Sequence, residues 1–243
     1  MAFIMDGNRR FASRLNKAST AGHEFGYLKL LDALEWCLEM GVSCVSVFAF
    51  SIDNFKRPPQ EVAMLMQLAE EKLEELLQEY KLIEKHGVCI RVLGDLSLLP
   101  LSVRAAADRV MEATQHHKRG RLNICLAYGS WQEMSQAIGH LQKEVQSGSL
   151  SPEDVDGRAL DARSHTAGCP PVDILIRTSG ESRLSDFLLW QSGTAQLQFT
   201  DVLWPEFSFW DLLKALVLWQ LARPDLERIG QAAERRRQTH AYS

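Results

Sequence analysis

Residues 43–59 read Ser43-Cys44-Val45-Ser46-Val47-Phe48-Ala49-Phe50, then Ser51-Ile52-Asp53-Asn54-Phe55-Lys56-Arg57, then Pro58-Pro59. The run to Phe50, rich in Val and Phe, has the make-up of a buried strand, and the polar loop after it gives way to a helix opened by prolines. Val62, Leu65, Met66, Ala69, Leu73, Leu76, Leu77, Tyr80 and Ile83 recur at helical spacing over 61–86, opposite a Glu/Lys/Gln face. Gly87 suits the helix end, and Val88–Leu93 reads as the next strand. Strand, helix and strand in succession form the unit from which parallel sheets are built.

The alternation extends in both directions. Further strands are expected at Ala2–Met5, Leu122–Tyr128, Ile174–Arg177 and Gln196–Phe199, and the first of these is bracketed with a helix whose stripe is Leu28, Leu31, Leu34 and Leu38. Helices are also expected around 102–117, 131–146 and 207–222, and residues 147–171 read as a loop holding one short helix. The fold class is therefore α/β: a central, mostly parallel sheet of about six strands flanked by helices.

A chain of 243 residues with 46% hydrophobic and 24% charged residues suits one such domain and excludes disordered and collagen-like classes. The formal net charge of -4 supplies no global basic field, so nucleic acid is not an expected partner and any anion site is local. Cys37, Cys44, Cys89, Cys125 and Cys169 include no C-x-x-C pair, and Cys44, Cys89 and Cys125 read as small buried hydrophobes, so no thiol chemistry is expected. No apolar stretch approaches the roughly 20 residues of a membrane span, and Met1–Met5 is too short an apolar run for a signal peptide.

Three polar clusters each follow a predicted strand, on the edge where open α/β sheets bind ligands. They are Met5-Asp6-Gly7-Asn8-Arg9-Arg10, Ser51–Arg57, and Ile176-Arg177-Thr178-Ser179-Gly180-Glu181-Ser182-Arg183-Leu184-Ser185. Singly they have plainer readings: an Asp-Gly turn, a capped loop, solvated arginines. Together they suit an anionic ligand, with arginine forks for phosphate oxygens and a carboxylate, Asp6, able to share a hard cation with a diphosphate. The P-loop, dinucleotide-binding, zincin and G-x-S-x-G motifs are all absent.

With Phe50-Ser51, Asn54-Phe55-Lys56-Arg57, Arg183-Leu184-Ser185-Asp186-Phe187-Leu188-Leu189-Trp190-Gln191 and Leu203-Trp204-Pro205-Glu206-Phe207, these clusters resemble the cis-prenyltransferase family. The resemblance runs in order from residue 2 to about 220 and is nearest to the eukaryotic dolichol-type members, which share Arg9 where bacterial ones carry Gly. It implies a single domain over 1–243, with a tail from about 221 and a hydrophobic product tunnel lined by the helix at 61–86. The implied reaction condenses isopentenyl diphosphate onto an allylic diphosphate such as farnesyl diphosphate, in cis and repeatedly, to give a long polyprenyl diphosphate, the dolichol precursor for glycosylation.

By motif position, Asp6 would hold Mg²⁺, and Asp6, Asn8, His23, Ser51 and Asn54 would form the reaction centre. Gly7, Arg9, Arg10, Phe50, Phe55 and Arg57 would surround the allylic diphosphate, while Arg177, Arg183 and Ser185 would hold isopentenyl diphosphate. The base that removes the final proton stays open between His23 and a diphosphate oxygen, Asn8 being a poor one. Ser19 stands where members usually carry Arg, and Gln196 stands in place of a bacterial glutamate associated with the metal. The resemblance therefore also implies a heteromer with a Nogo-B receptor-like subunit, whose C-terminal Arg-x-Gly completes the site, at the cytoplasmic face of the endoplasmic reticulum as a peripheral membrane protein. The competing class is a noncatalytic stabilising subunit, which would be expected to lose the Asp6 and Asn54/Arg57 clusters that this chain retains.

Overall fold

In a computed structural model, which describes residues 1–78 and 86–239, all six expected strands join one sheet. They are β1 (Ala2–Ile4), β2 (Cys44–Ser51), β3 (Val88–Leu93), β4 (Gly120–Tyr128), β5 (Ile174–Arg177) and β6 (Gln196–Phe199). Every pairing is parallel, in the order β3-β4-β2-β1-β5-β6. The helices between them are α1 (Asn8–Arg14), α2 (Ser19–Glu39), α3 (Pro59–Gln78), α4 (Leu101–Thr114), α5 (Ser130–Gln146), α6 (Gly157–Asp161) and α7 (Phe209–Thr239).

Because successive strand residues point to opposite faces, alternate side chains enter two separate cores. Phe3, Val45, Val47, Ile90, Val92, Leu122, Ile124, Ile174 and Ile176 meet Leu30 and Ala33 of α2, Met66 and Leu73 of α3, Val103 and Val110 of α4, and Leu212 of α7. On the other face Ala2, Ile4, Leu93, Cys125 and Leu175 pack under Phe187 and Leu188. Fully burying each large apolar side chain contributes about 1.5–3 kcal/mol, and a sheet covered on both faces reads as near-continuous apolar runs.

Three details depart from the sequence reading. The buried stripe of α2 is Gly22, Gly26, Leu30, Ala33 and Cys37, while Leu28 is 57% exposed, because two glycines rather than leucines make the close approach to α1. Asn8 opens a helix instead of remaining in a loop. The last helix continues past 222, through Pro224, to Thr239. Of the expected helix 61–86, residues 79–85, with Tyr80 and Ile83, lie outside the described residues, as do the side chains of Glu234–Arg237; Gly87 has the positive φ of 59° that suits a helix end. The 147–171 segment does hold one short helix, α6.

The strand order puts β1 between β2 and β5, at the point where the chain's progress across the sheet reverses. The loops leaving β1, β2 and β5 therefore open into one crevice beyond their carboxyl ends.

Candidate active site

Asp6 leaves β1 beside the end of β5, and the two loops are tied directly. The Asp6 amide donates to Thr178 Oγ1 at 3.0 Å, and that hydroxyl donates to the Asp6 carbonyl at 2.8 Å. Arg177, only 3% exposed, donates from Nη2 to Asp6 Oδ2 at 2.9 Å and from Nη1 to Ser185 Oγ at 2.8 Å. Asp6 Oδ1 accepts from the Gly7 amide at 2.8 Å. One guanidinium thus links the predicted metal carboxylate to the predicted isopentenyl diphosphate loop, across 171 positions of sequence.

Gly7 caps α1 with a φ of 103°, and a Cβ there would lie 2.9 Å from Leu203 Cδ2, so both conformation and space demand glycine. Asn8 is turned inward: its Nδ2 donates to the Met5 carbonyl at 3.0 Å, and a Cβ on Gly26 would stand 2.3 Å from its Oδ1. Its side chain holds the loop against α2 rather than facing the crevice. Arg10 reaches over to β5's loop and donates to the Ser179 carbonyl at 2.7 Å, and Ser179 takes a φ of 81° to present it.

On the β2 side, Ser51 and Asn54 form a reciprocal cap. Ser51 Oγ accepts from the Asp53 amide at 3.2 Å, and Asn54 Oδ1 accepts from the Ser51 amide at 3.1 Å. Phe50 is buried and meets Phe55 edge-on, with ring centroids 4.9 Å apart. Arg57 pairs with Glu61 at 2.9 Å, and the same carboxylate oxygen lies 3.5 Å from Arg9. A second carboxylate does the same for the other cluster: Glu181 lies 3.8 Å from Arg10 and pairs with Arg183. Burial, followed by the neighbouring Arg9 and Arg57 cations, pulls His23 below the ordinary imidazole range, against the opposing pull of Glu61. His23, Arg9 and Arg57 are therefore neighbours.

Ser19 is exposed at the first turn of α2, and Gln196 sits at the amino end of β6, opposite Ile174 and three residues short of the register of Arg177. At roughly 3.3 Å per residue, position 196 stands about 10 Å along the sheet from the end that carries Asp6.

The family model described as "Putative undecaprenyl diphosphate synthase" matches residues 4–225. The chain belongs to the cis-prenyltransferase family. It is 46% identical over 240 residues to the human "Dehydrodolichyl diphosphate synthase complex subunit DHDDS", covering 98% of this chain and 72% of that one. Against an isoprenyl transferase of Thermus thermophilus the identity is 44%, over 90% and 85% of the two chains. A crystal structure of lavandulyl diphosphate synthase from Lavandula x intermedia, in complex with dimethylallyl diphosphate, superposes with a TM-score of 0.84 at 30% identity, covering 90% and 93%.

For this cis-prenyltransferase, several residues that support the crevice had no role assigned by the sequence reading. Trp204 donates from its backbone amide to the Asp6 carbonyl at 2.9 Å and from Nε1 to the Gly26 carbonyl at 2.8 Å, riveting the β1 loop to α2. Buried Glu133 accepts from Tyr128, from Gln191 Nε2 at 2.9 Å and from the His165 amide at 2.7 Å, steadying the segment that follows Arg183 and Ser185. Thr178, Glu61 and Glu181 were visible as residues of the quoted or flanking stretches, but only their contacts reveal what they do.

Asp6 is 39% exposed and is the protein's carboxylate at the crevice floor; among the described residues no group of three His, Cys, Asp or Glu side chains could enclose a metal. A single carboxylate fits Mg²⁺, a cation that commonly takes one or two protein oxygens and fills its shell with substrate phosphates and water. No helix among the described residues is long and apolar enough to cross a membrane.

Proposed function

We propose that this cis-prenyltransferase extends an allylic diphosphate such as farnesyl diphosphate with isopentenyl diphosphate to make a long-chain, dolichol-type polyprenyl diphosphate. The observation that carries the reading is the convergence of Asp6, Arg10 and Arg177 from β1 and β5 at one sheet edge. In this assignment Gly7, Arg9, Arg10 and Arg57 receive the allylic diphosphate, exchanging the Glu61 carboxylate for phosphate oxygens. Arg177, Arg183 and Ser185 receive isopentenyl diphosphate, with Arg183 leaving Glu181. Mg²⁺ held by Asp6 would supply charge neutralisation for the departing diphosphate.

The residues of the chain then do three things. Their fixed guanidinium and amide donors stabilise negative charge as the allylic C–O bond breaks. Buried Phe50, with Phe55 edge-on to it, backs the loop beside the reacting carbon, and Ser51 and Asn54 hold that loop in its capped form. His23, kept neutral near pH 7 by its surroundings, is available to accept the proton lost as the new cis double bond forms, with a diphosphate oxygen as the competing acceptor.

The growing tail is assigned to the cleft of about 710 Å³ between α3 and the start of α4, whose lining includes Phe55, Val62, Met66, Leu98 and Val103. Its mouth at Arg57 adjoins the allylic group. A Nogo-B receptor-like subunit is assigned to the edge formed by β6 and α7, where Leu197, Phe199, Leu218 and the 73% exposed Trp210 leave apolar surface uncovered. Such a subunit would bring an Arg-x-Gly tail whose amides meet phosphate. The greasy substrate and product favour peripheral association with the endoplasmic reticulum membrane, on its cytoplasmic side.

Incubating the purified chain, alone and with a Nogo-B receptor-like subunit, with farnesyl diphosphate, labelled isopentenyl diphosphate and Mg²⁺ tests the reading. Long cis-polyprenyl product, rising by orders of magnitude on mixing, is expected. Full synthesis by the chain alone would overturn the partner assignment, and no incorporation in either arm would overturn the activity.

A further inference from the structure

On the face of the sheet remote from α3, the start of β2 meets the loop ahead of β5. Cys169 in that loop lies 3.4 Å from Arg121 Nη1, 3.5 Å from Arg91 Nη1 and 3.4 Å from Asn123 Nδ2. The same Asn123 amide is 3.6 Å from Cys44 Sγ, so one amide nitrogen lies within hydrogen-bond reach of both sulfurs. The arrangement is fixed from both sides. Arg91 donates to the His165 and Ala167 carbonyls at 2.8 and 3.0 Å, Arg121 donates to the Gly168 carbonyl, and Asn123 also donates to Ser46 Oγ at 2.9 Å.

A hydrogen bond from Cys44, then those from Arg121 and Asn123 and the charge of Arg91, bring the Cys169 thiol down to about 5 against the effect of burial. Cys44 moves the opposite way and remains a thiol. Elsewhere burial pushes Cys37 up to about 12 and raises Cys125 well above the ordinary thiol range. Cys169 is half-buried and borders a cavity of about 440 Å³ shared with Thr166, Trp190, Gln191 and Gly230, so a small oxidant has a route to it. Reactive cysteines occupy electropositive, partly exposed surroundings of this kind, often beside a resolving thiol.

We infer that Cys169 is a peroxide-reactive nucleophile and Cys44 its resolving thiol, forming a reversible modification site separate from the prenyl-transfer crevice. The Cys169 thiolate attacks one oxygen of a hydroperoxide, the O–O bond breaks, and the departing hydroxide takes a proton to become water, or an alcohol when the peroxide is organic. Cys169 is left as a sulfenic acid. The Cys44 sulfur then attacks the Cys169 sulfur, the S–O bond breaks, the Cys44 proton leaves with the hydroxyl as water, and a disulfide forms. The peroxide is reduced by two electrons, and the sulfur pair is oxidised by two. Cys44 and Ser51 are the first and last residues of β2, so the site stands roughly 23 Å from the β2 end of the crevice at about 3.3 Å per residue.

The experiment treats the reduced, purified full chain with stoichiometric hydrogen peroxide, blocks free thiols with iodoacetamide and maps peptides by mass spectrometry. A Cys44–Cys169 disulfide is expected as the first product, at least ten-fold ahead of oxidation at Cys37, Cys89 or Cys125, and reversed by dithiothreitol. In Cys44→Ser, the same treatment in the presence of dimedone is expected to label Cys169. Oxidation spread evenly over the five cysteines, or a wild-type chain in which Cys169 stays reduced while others oxidise, overturns the inference. The wild-type measurement needs no substitution, so it decides the question even where a variant folds poorly.

Discussion

Arg177 and Arg91 project from the same face of one sheet and end in the same guanidinium fork, but their partners differ. Arg177, at the carboxyl end of β5 and almost wholly buried, donates to the Asp6 carboxylate, the Ser185 hydroxyl and the Arg183 carbonyl. Arg91, in β3, donates to two backbone carbonyls of the loop that covers it. Both forks hold a loop through backbone carbonyls, but only Arg177 also holds a carboxylate and a hydroxyl, acceptors that can give way to a phosphate. Counting arginines therefore does not separate a substrate clamp from a structural staple; the chemistry and accessibility of the acceptor do.

Asp6→Ala is the severest challenge to this contrast. Turnover is expected to fall by on the order of 10²-fold or more, since the substitution removes both the Mg²⁺ ligand and the partner of Arg177. Far-UV circular dichroism should remain native, and steady-state rates within a few-fold of wild type at saturating Mg²⁺ would show that the carboxylate is not the metal's anchor. Next come the arginines themselves. Arg177→Ala and Arg183→Ala should each raise the KM for isopentenyl diphosphate, by the equivalent of about 1.5–3 kcal/mol per lost charge-assisted bond. Arg91→Met should instead lower the melting temperature while leaving that KM alone. Calorimetric titration of isopentenyl diphosphate beside thermal scans distinguishes the two; matching behaviour in both variants would erase the contrast.

Gly26→Ala probes the support behind Asp6 rather than its charge. A Cβ there would meet Asn8 Oδ1 at 2.3 Å, so destabilisation of about 1–3 kcal/mol by urea unfolding is expected. The smallest effect concerns His23. Its folded-state value is depressed by burial and by Arg9 and Arg57, so as pH falls below about 6.5 the unfolded chain binds a proton at this position first. Wild type should then lose stability relative to His23→Gln between pH 7.5 and 5.5, with a slope no steeper than about 1.4 kcal/mol per pH unit, and parallel curves would place His23 away from the cations.

How much of the site was legible depends on how local its causes are. Asp6, Ser51 and Arg177 were readable because each follows an apolar run that ends at the same sheet edge, a relation set within a few residues of chain. Asn8 shows the limit: its motif position suggested a group facing substrate, while its amide is committed to Met5 and packed against Gly26. In the leucine stripe of α2, Leu31 and Leu34 do pack against the core, but Leu28 does not, for a related reason. Spacing counts apolar residues, but the helix turned the face whose glycines permit contact with α1, leaving Leu28 in solvent.

The linear pattern alone determined the strands: β1, β2 and β5 are apolar at nearly every position because both faces are covered, and the edge strand β6 shows instead the alternation Gln196-Leu197-Gln198-Phe199. It also determined that polar loops follow those strands at the edge where ligands bind. Only the tertiary structure decided which strands became neighbours. Placing β1 beside β5 joins Asp6 to Arg177, and placing β2 beside β4 brings Cys44 to the Asn123 amide that Cys169 shares. Parallel neighbours are brought together by crossovers through helices and loops, and no periodicity along one segment encodes a partner more than a hundred residues away.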